Sequence, residues 1–99
     1  MRDISDDEFE TLASGGRVLF DFYASWCVPC KPVTRLLEQV EADFPNTILV
    51  KVNIDKCPRA VKHCDVGAIP TLILFEDGKM VDQHLGPITE MTLREWLRV

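Results

Sequence analysis

The chain reads as a single α/β domain in which a mixed β-sheet carries helices on both faces. Two observations predict this. Apolar, β-branched runs alternate with amphipathic helical stretches along the 99 residues, and the last two strand-like runs are joined by Asp77-Gly78, a hairpin turn signal. Right-handed crossovers make the early strands parallel, and the hairpin makes the sheet mixed.

Each element has its own signal. Ser5-Asp6-Asp7-Glu8 forms a capping box that opens a short helix, with Phe9 and Leu12 inward and an end near Gly15-Gly16. Only a few residues precede Ser5, so any strand before that helix is very short or absent. Residues 17–24 form the first strong strand. Pro29 and Pro32 are tolerated only in the opening turn of the next helix. That helix runs through Leu36, Leu37 and Val40 to about Phe44, where Pro45-Asn46 ends it. Residues 47–53 are a β-branched strand, and residues 57–65 a short helix with Pro58 in its first turn. Residues 71–75 and 79–85 form the hairpin. Thr89 caps a last helix whose buried stripe is Leu93, Trp96 and Leu97.

Composition narrows the function. Hydrophobic residues make up 46% and charged residues 27%, which suits one small globular domain. A net charge of -5 argues against nucleic acid and against an anionic membrane surface. No apolar stretch is long enough to span a bilayer. The acidic first eight residues lack the apolar core of a signal peptide, so a cytoplasmic, reducing location is expected. Four cysteines in such a compartment suggest catalysis or metal binding over a structural disulfide framework.

The chemistry concentrates in Trp26-Cys27-Val28-Pro29-Cys30-Lys31, directly after the apolar run 18–24. Cysteines three apart in a first helical turn bring their sulfurs within bonding reach. A strand before and a helix after place the first sulfur at a helix N-terminus, where free N–H groups and the macrodipole favour thiolate. Thiolate is the species that attacks disulfides. Cys27 is then the exposed nucleophile and Cys30 the buried resolving thiol. Zinc binding is the competing reading, but Cys57, His63, Cys64 and His84 do not repeat the tight spacing. Inert cysteines are the third.

Asp21 is the only charge in 18–24, a run too apolar for a strand exposed on one face. Burial raises a carboxyl pKa, and such groups are often functional. Asp21 is read as proton acceptor for the buried thiol, or else as a strand-end residue in contact with solvent. Lys51, in the adjacent strand, is either its counter-charge or a lysine that snorkels to solvent. Trp26 is either an exposed platform for a partner or ordinary core. Across a continuous helix Cys57 and Cys64 stand about 10 Å apart, beyond the roughly 7 Å a disulfide allows between Cα atoms, so they read as unlinked thiols or as a conditional regulatory pair.

Taken together, Asp21-Phe22-Tyr23-Ala24-Ser25-Trp26-Cys27-Val28-Pro29-Cys30-Lys31, Val52-Asn53-Ile54-Asp55, Ile69-Pro70-Thr71-Leu72, Phe75-Glu76-Asp77-Gly78-Lys79 and Gly86 resemble the thioredoxin family. The resemblance spans nearly the whole chain. It implies the thioredoxin fold with a four- to five-stranded sheet. It implies a thiol–disulfide oxidoreductase that reduces client protein disulfides, recharged by a thioredoxin reductase-type enzyme; the alternatives are a disulfide isomerase or oxidant, and a non-catalytic binding module on the same fold. No cofactor is implied beyond a Cys27–Cys30 disulfide, and no metal; a monomer is expected. It also implies a cis bond before Pro70, Asp21 as proton acceptor with Lys51 as its partner, and client polypeptide lying along Trp26, Val28, Pro29, Val66, Ala68, Ile69 and Pro70. Cys57 and Cys64 match extra cysteines of animal members, which can form a second disulfide. The chain departs from the family pattern at Val28, where Gly is usual, at Tyr23, where Trp is common, and at Arg35, where a kink proline is expected.

Overall fold

Strand β2 (Arg17–Tyr23) lies at the centre of a five-stranded sheet, and its residues 18–22 are wholly buried. The computed structural model describes residues 1–98. In chain order it contains β1 (Arg2–Asp3), α1 (Asp6–Leu12), β2, α2 (Cys30–Val40) with a 3-10 turn at Glu41–Asp43, β3 (Ile48–Asn53), α3 (Pro58–Cys64), β4 (Thr71–Glu76), β5 (Lys79–Leu85) and α4 (Glu90–Arg98). The strand order is β1-β3-β2-β4-β5. β3 is parallel to both β1 and β2, β4 is antiparallel to β2, and β5 closes the hairpin on β4.

The sequence expectations meet this fold closely. The first strand exists but is two residues long. The Ser5–Glu8 capping box forms in both directions, and α1 stops at Leu12, earlier than the glycines that marked its end. The largest shift is at α2. It begins at Cys30, with Pro29 as N-cap, so Cys27 lies in the turn before the helix and not in its first turn. Proline at 29 and 32 accounts for the late start, since neither supplies an N–H. The Cys30 N–H reaches the Cys27 carbonyl at 3.3 Å, and the Lys31 N–H reaches that of Val28 at 3.2 Å.

Alternation along β2 divides the core into two. Val18, Phe20 and Phe22 join Phe9, Val50, Val52, Ala60, Ile73 and Phe75 on the face covered by α1 and α3. Leu19 joins Val33, Leu37, Val40, Leu49, Leu72, Leu74, Leu93 and Leu97 on the face covered by α2 and α4. Period-two geometry therefore turns Asp21, like Leu19, toward α2. At the hairpin, Asp77 and Gly78 take φ of 50° and 85°, the left-handed pair that a tight two-residue turn needs. A Cβ on Gly78 would also lie 3.3 Å from the Ser14 carbonyl oxygen.

Candidate functional site: a disulfide beside a buried carboxyl

Cys27 and Cys30 form a disulfide, with Cα atoms 5.4 Å apart. The cysteines cluster with Ala24, and Tyr23, Ile54 and Ile69 pack against them. Cys27 is not the exposed residue that spacing suggested: it is 5% accessible, against 1% for Cys30. Exposure belongs to its neighbours, Trp26 at 64% and Val28 at 71%. Trp26 is thus no core residue; its indole N–H donates to Asp55 Oδ2 at 2.8 Å. The β2–α2 connection holds the sulfurs just inside the surface and turns two large apolar side chains outward beside them.

The Ile69–Pro70 peptide is cis, and Ile69 packs against the disulfide cluster. The loop that delivers it leaves α3 through Asp65, which adopts the left-handed conformation (φ 54°) as C-cap, with the Val66 N–H donating to the Val61 carbonyl. Val66 and Ile69 are half-buried, Gly67 and Ala68 exposed and Pro70 buried.

Asp21 is completely buried. The Thr34 hydroxyl donates to its Oδ2 at 2.5 Å, while Oδ1 is buried with no hydrogen-bond partner among the described residues. Burial pushes the carboxyl up to about 6; the Thr34 hydrogen bond and the Lys51 charge pull against this, and Glu38 and Asp3 add to it. Lys51 stands opposite Asp21 in the β2–β3 register, yet its direct partner is different. Its ammonium pairs with Asp3 Oδ2 at 3.5 Å and lies 5.4 Å from the centre of the Tyr23 ring. Lys51 thus acts on Asp21 as a counter-charge without a direct ion pair, and the short contact to Asp21 is Thr34's. Spacing could have found Thr34. It lies four residues after Cys30 on α2, hence on the same face of that helix, and is half-buried.

Tyr23 carries a second consequence of this arrangement. Its hydroxyl donates to Asp3, and burial together with that acidic partner raises it to about 12. Cys57 and Cys64 are both free and buried, at the N-cap and the last residue of an unbroken α3. The Cys57 thiol donates to the Ile4 carbonyl at 3.3 Å. Burial raises both thiols, Cys64 to about 12. Among the described residues no cluster of His, Cys, Asp or Glu is placed to hold a metal ion, and no helix is long and apolar enough to cross a membrane.

A dithiol that closes into a disulfide at a strand–helix junction of this sheet exchanges two electrons with other disulfides. That chemistry defines the class, a protein thiol–disulfide oxidoreductase. The chain belongs to the thioredoxin family, whose model, described as Thioredoxin, matches residues 1–99. It is 45% identical over 83 residues to a thioredoxin of Chlamydia trachomatis serovar D, covering 84% of this chain and 81% of that protein. It is 37% identical over 84 residues to a thioredoxin of Staphylococcus aureus strain Mu50, with 84% and 81% covered. Among solved structures it resembles Plasmodium falciparum thioredoxin with a TM-score of 0.88 at 26% identity, covering 98% of this chain and 95% of that one. Oxidised mitochondrial thioredoxin 3 of Saccharomyces cerevisiae gives a TM-score of 0.86 at 29% identity, over 99% and 92%.

Proposed function

We propose that this oxidoreductase works as a reductant of client protein disulfides, with Cys27 attacking and Cys30 resolving. The observation that carries the reading is the Cys27–Cys30 disulfide at the start of α2, with Cys27 in the turn before the helix and Cys30 its first residue, on the helix whose Thr34 meets the buried Asp21. Cys27 is the less buried sulfur and precedes the helix N-terminus, where backbone N–H groups favour thiolate. The Cys27 thiolate attacks a client disulfide, and one client sulfur leaves as thiolate and takes a proton. Cys30 then gives its proton to Asp21 and attacks Cys27 Sγ. The Cys27–client bond breaks, the Cys27–Cys30 bond forms, and the second client sulfur leaves as thiolate and takes a proton from solvent, to which Asp21 later returns its own; the client has gained two electrons and two protons.

Trp26, Val28 and Pro29 on one side, and Val66, Ala68, Ile69 and Pro70 on the other, form the docking surface for client polypeptide. The exposure of Trp26 and Val28 beside the sulfurs supports this. A thioredoxin reductase-type enzyme returns the electrons. The protein acts as a monomer. Two unpaired buried thiols, Cys57 and Cys64, suit a reducing compartment, and we assign the cytoplasm. No cofactor beyond the disulfide takes part.

The test is insulin reduction coupled to a thioredoxin reductase, with Cys27→Ser as control. Turnover that Cys27→Ser abolishes supports the reading. No turnover by the parent, or undiminished activity in the variant, sinks it. A low reduction potential separates the reductant from an oxidant or isomerase on the same fold.

A further inference from the structure

Asp21 meets the pocket beside Cys30 through one side chain. A pocket of about 190 Å³ opens next to the disulfide, and Cys30, Thr34, Lys31 and Glu38 are among its walls. Asp21 does not line it. Thr34 does, and its hydroxyl also donates to Asp21 Oδ2. Cys30 and Thr34 stand four residues apart on α2, hence on the same face, one turn from each other.

A helical threonine commonly turns its hydroxyl back to the carbonyl four residues earlier, here that of Cys30. A hydroxyl has one proton to give, and Thr34 gives it to Asp21. The donation is to the charged form of the acid, which it favours. It also makes the two carboxyl oxygens unequal: Oδ2 is occupied as an acceptor, while Oδ1 is buried with no partner among the described residues.

We propose that Thr34 is a positioning residue of the resolving step, which holds Asp21 ionised through Oδ2 and leaves Oδ1 to receive the Cys30 proton. The step balances as written above. The proton leaves Cys30 Sγ for Asp21 Oδ1, the Cys30 thiolate displaces the client sulfur from Cys27, and no outside oxidant or reductant is needed. The charged groups acting on Asp21 are Lys51 from β3, Asp3 from β1 and Glu38 from α2. Lys51 favours the carboxylate and the two acids disfavour it, so removing the Thr34 donor leaves burial more fully in control.

This inference rests on Asp21 being the proton acceptor, and the experiment separates the two. Reduced protein is mixed with Ellman's reagent, and the second thionitrobenzoate release, in which Cys30 resolves the Cys27 mixed disulfide, is timed from pH 5 to 9. The Asp21 carboxyl is titrated in parallel by 13C NMR. Thr34→Val keeps the branched shape and loses the hydroxyl; Thr34→Ser keeps the hydroxyl. The Val variant is expected to move both the titration midpoint and the acid limb of the rate upward by about one pH unit, which is roughly a threefold loss of rate at pH 6.5. The Ser variant keeps both near the parent. Thr34→Ala serves in place of Val if that variant does not fold. An unmoved midpoint, or slowing by one factor at every pH with no movement of the limb, overturns the role of Thr34. An acid limb that persists unchanged in Asp21→Asn overturns the proton-acceptor reading itself.

Discussion

At Asp21 a single ionisable group ties stability to the proposed resolving step. The carboxyl titrates near 6 in the folded chain because burial disfavours its charge, and near 4 when unfolded. Between those values the folded state holds a proton that the unfolded state has released. Stability therefore falls as pH rises through that window, and the full penalty persists above it. Asp21→Asn should stabilise the oxidised protein by about 2–3 kcal/mol at pH 7–8, with the gain gone below about pH 4. Denaturant melts of both proteins across pH 3.5–8 check this, and a gain that is equal at every pH would show that burial of the charge is not its source. The same variant should slow resolution of the mixed disulfide. The thiols divide by the same physics. After reduction, iodoacetamide near pH 7 should label Cys27 first, ahead of Cys30. Buried Cys57 and Cys64, whose thiols burial holds in the protonated form, should stay unlabelled until the chain unfolds. Peptide mapping over time reads this order, and early label at Cys64 contradicts it.

Among the elements, α1 is the most dependent on its terminus. It has seven residues and buries only Phe9 from within the helix, so its own propensity holds it weakly. The Ser5 hydroxyl accepts the Glu8 N–H and the Glu8 carboxylate accepts that of Ser5. Ser5→Ala should cost about 1 kcal/mol, read as a lower denaturation midpoint with unchanged slope, and should leave turnover untouched because α1 packs on the face opposite α2. Helix α3 shows the limit of element-level reading. Its seven residues run unbroken between Cys57 and Cys64, which keeps the two thiols apart, as the rise per residue required. At α2 the same kind of reasoning set the start too early. Two prolines can be accommodated near a helix start, but which of them becomes the N-cap depends on how the preceding turn closes.

Across the whole molecule, two apolar layers on a five-stranded sheet fix the face on which the redox pair works. The surface proposed for clients is apolar on a chain of net charge -5, so docking there is expected to draw on Trp26 and Val28 more than on charge. Cys30→Ser removes the thiol proposed to resolve the mixed disulfide while leaving Cys27 and this surface in place. It should retain client proteins from a lysate as mixed disulfides that dithiothreitol releases. Retention of the same proteins by a Cys27→Ser, Cys30→Ser double variant would mean that docking, not exchange, holds them.

The sequence by itself determined the element order from α1 onward, the strand–helix junction at Cys27 and Cys30, and the solitary carboxylate in an apolar strand. These are local properties: periodicity, turn chemistry and spacing act over a few residues, and the chain states them directly. The family resemblance in the same motifs carried the reaction. Which groups meet across the sheet was decided only by tertiary structure. Lys51 lies beside Asp21 in register, yet its ammonium reaches Asp3, because β1 joins the other edge of β3 and offers a second carboxylate. Asp21 is met instead by Thr34 from the helix packed over it. Cys27 is shielded and Trp26 exposed because a turn, not a helix, carries the first cysteine. Side-chain partners between elements depend on packing distances and on competing acceptors, and spacing along the chain encodes neither.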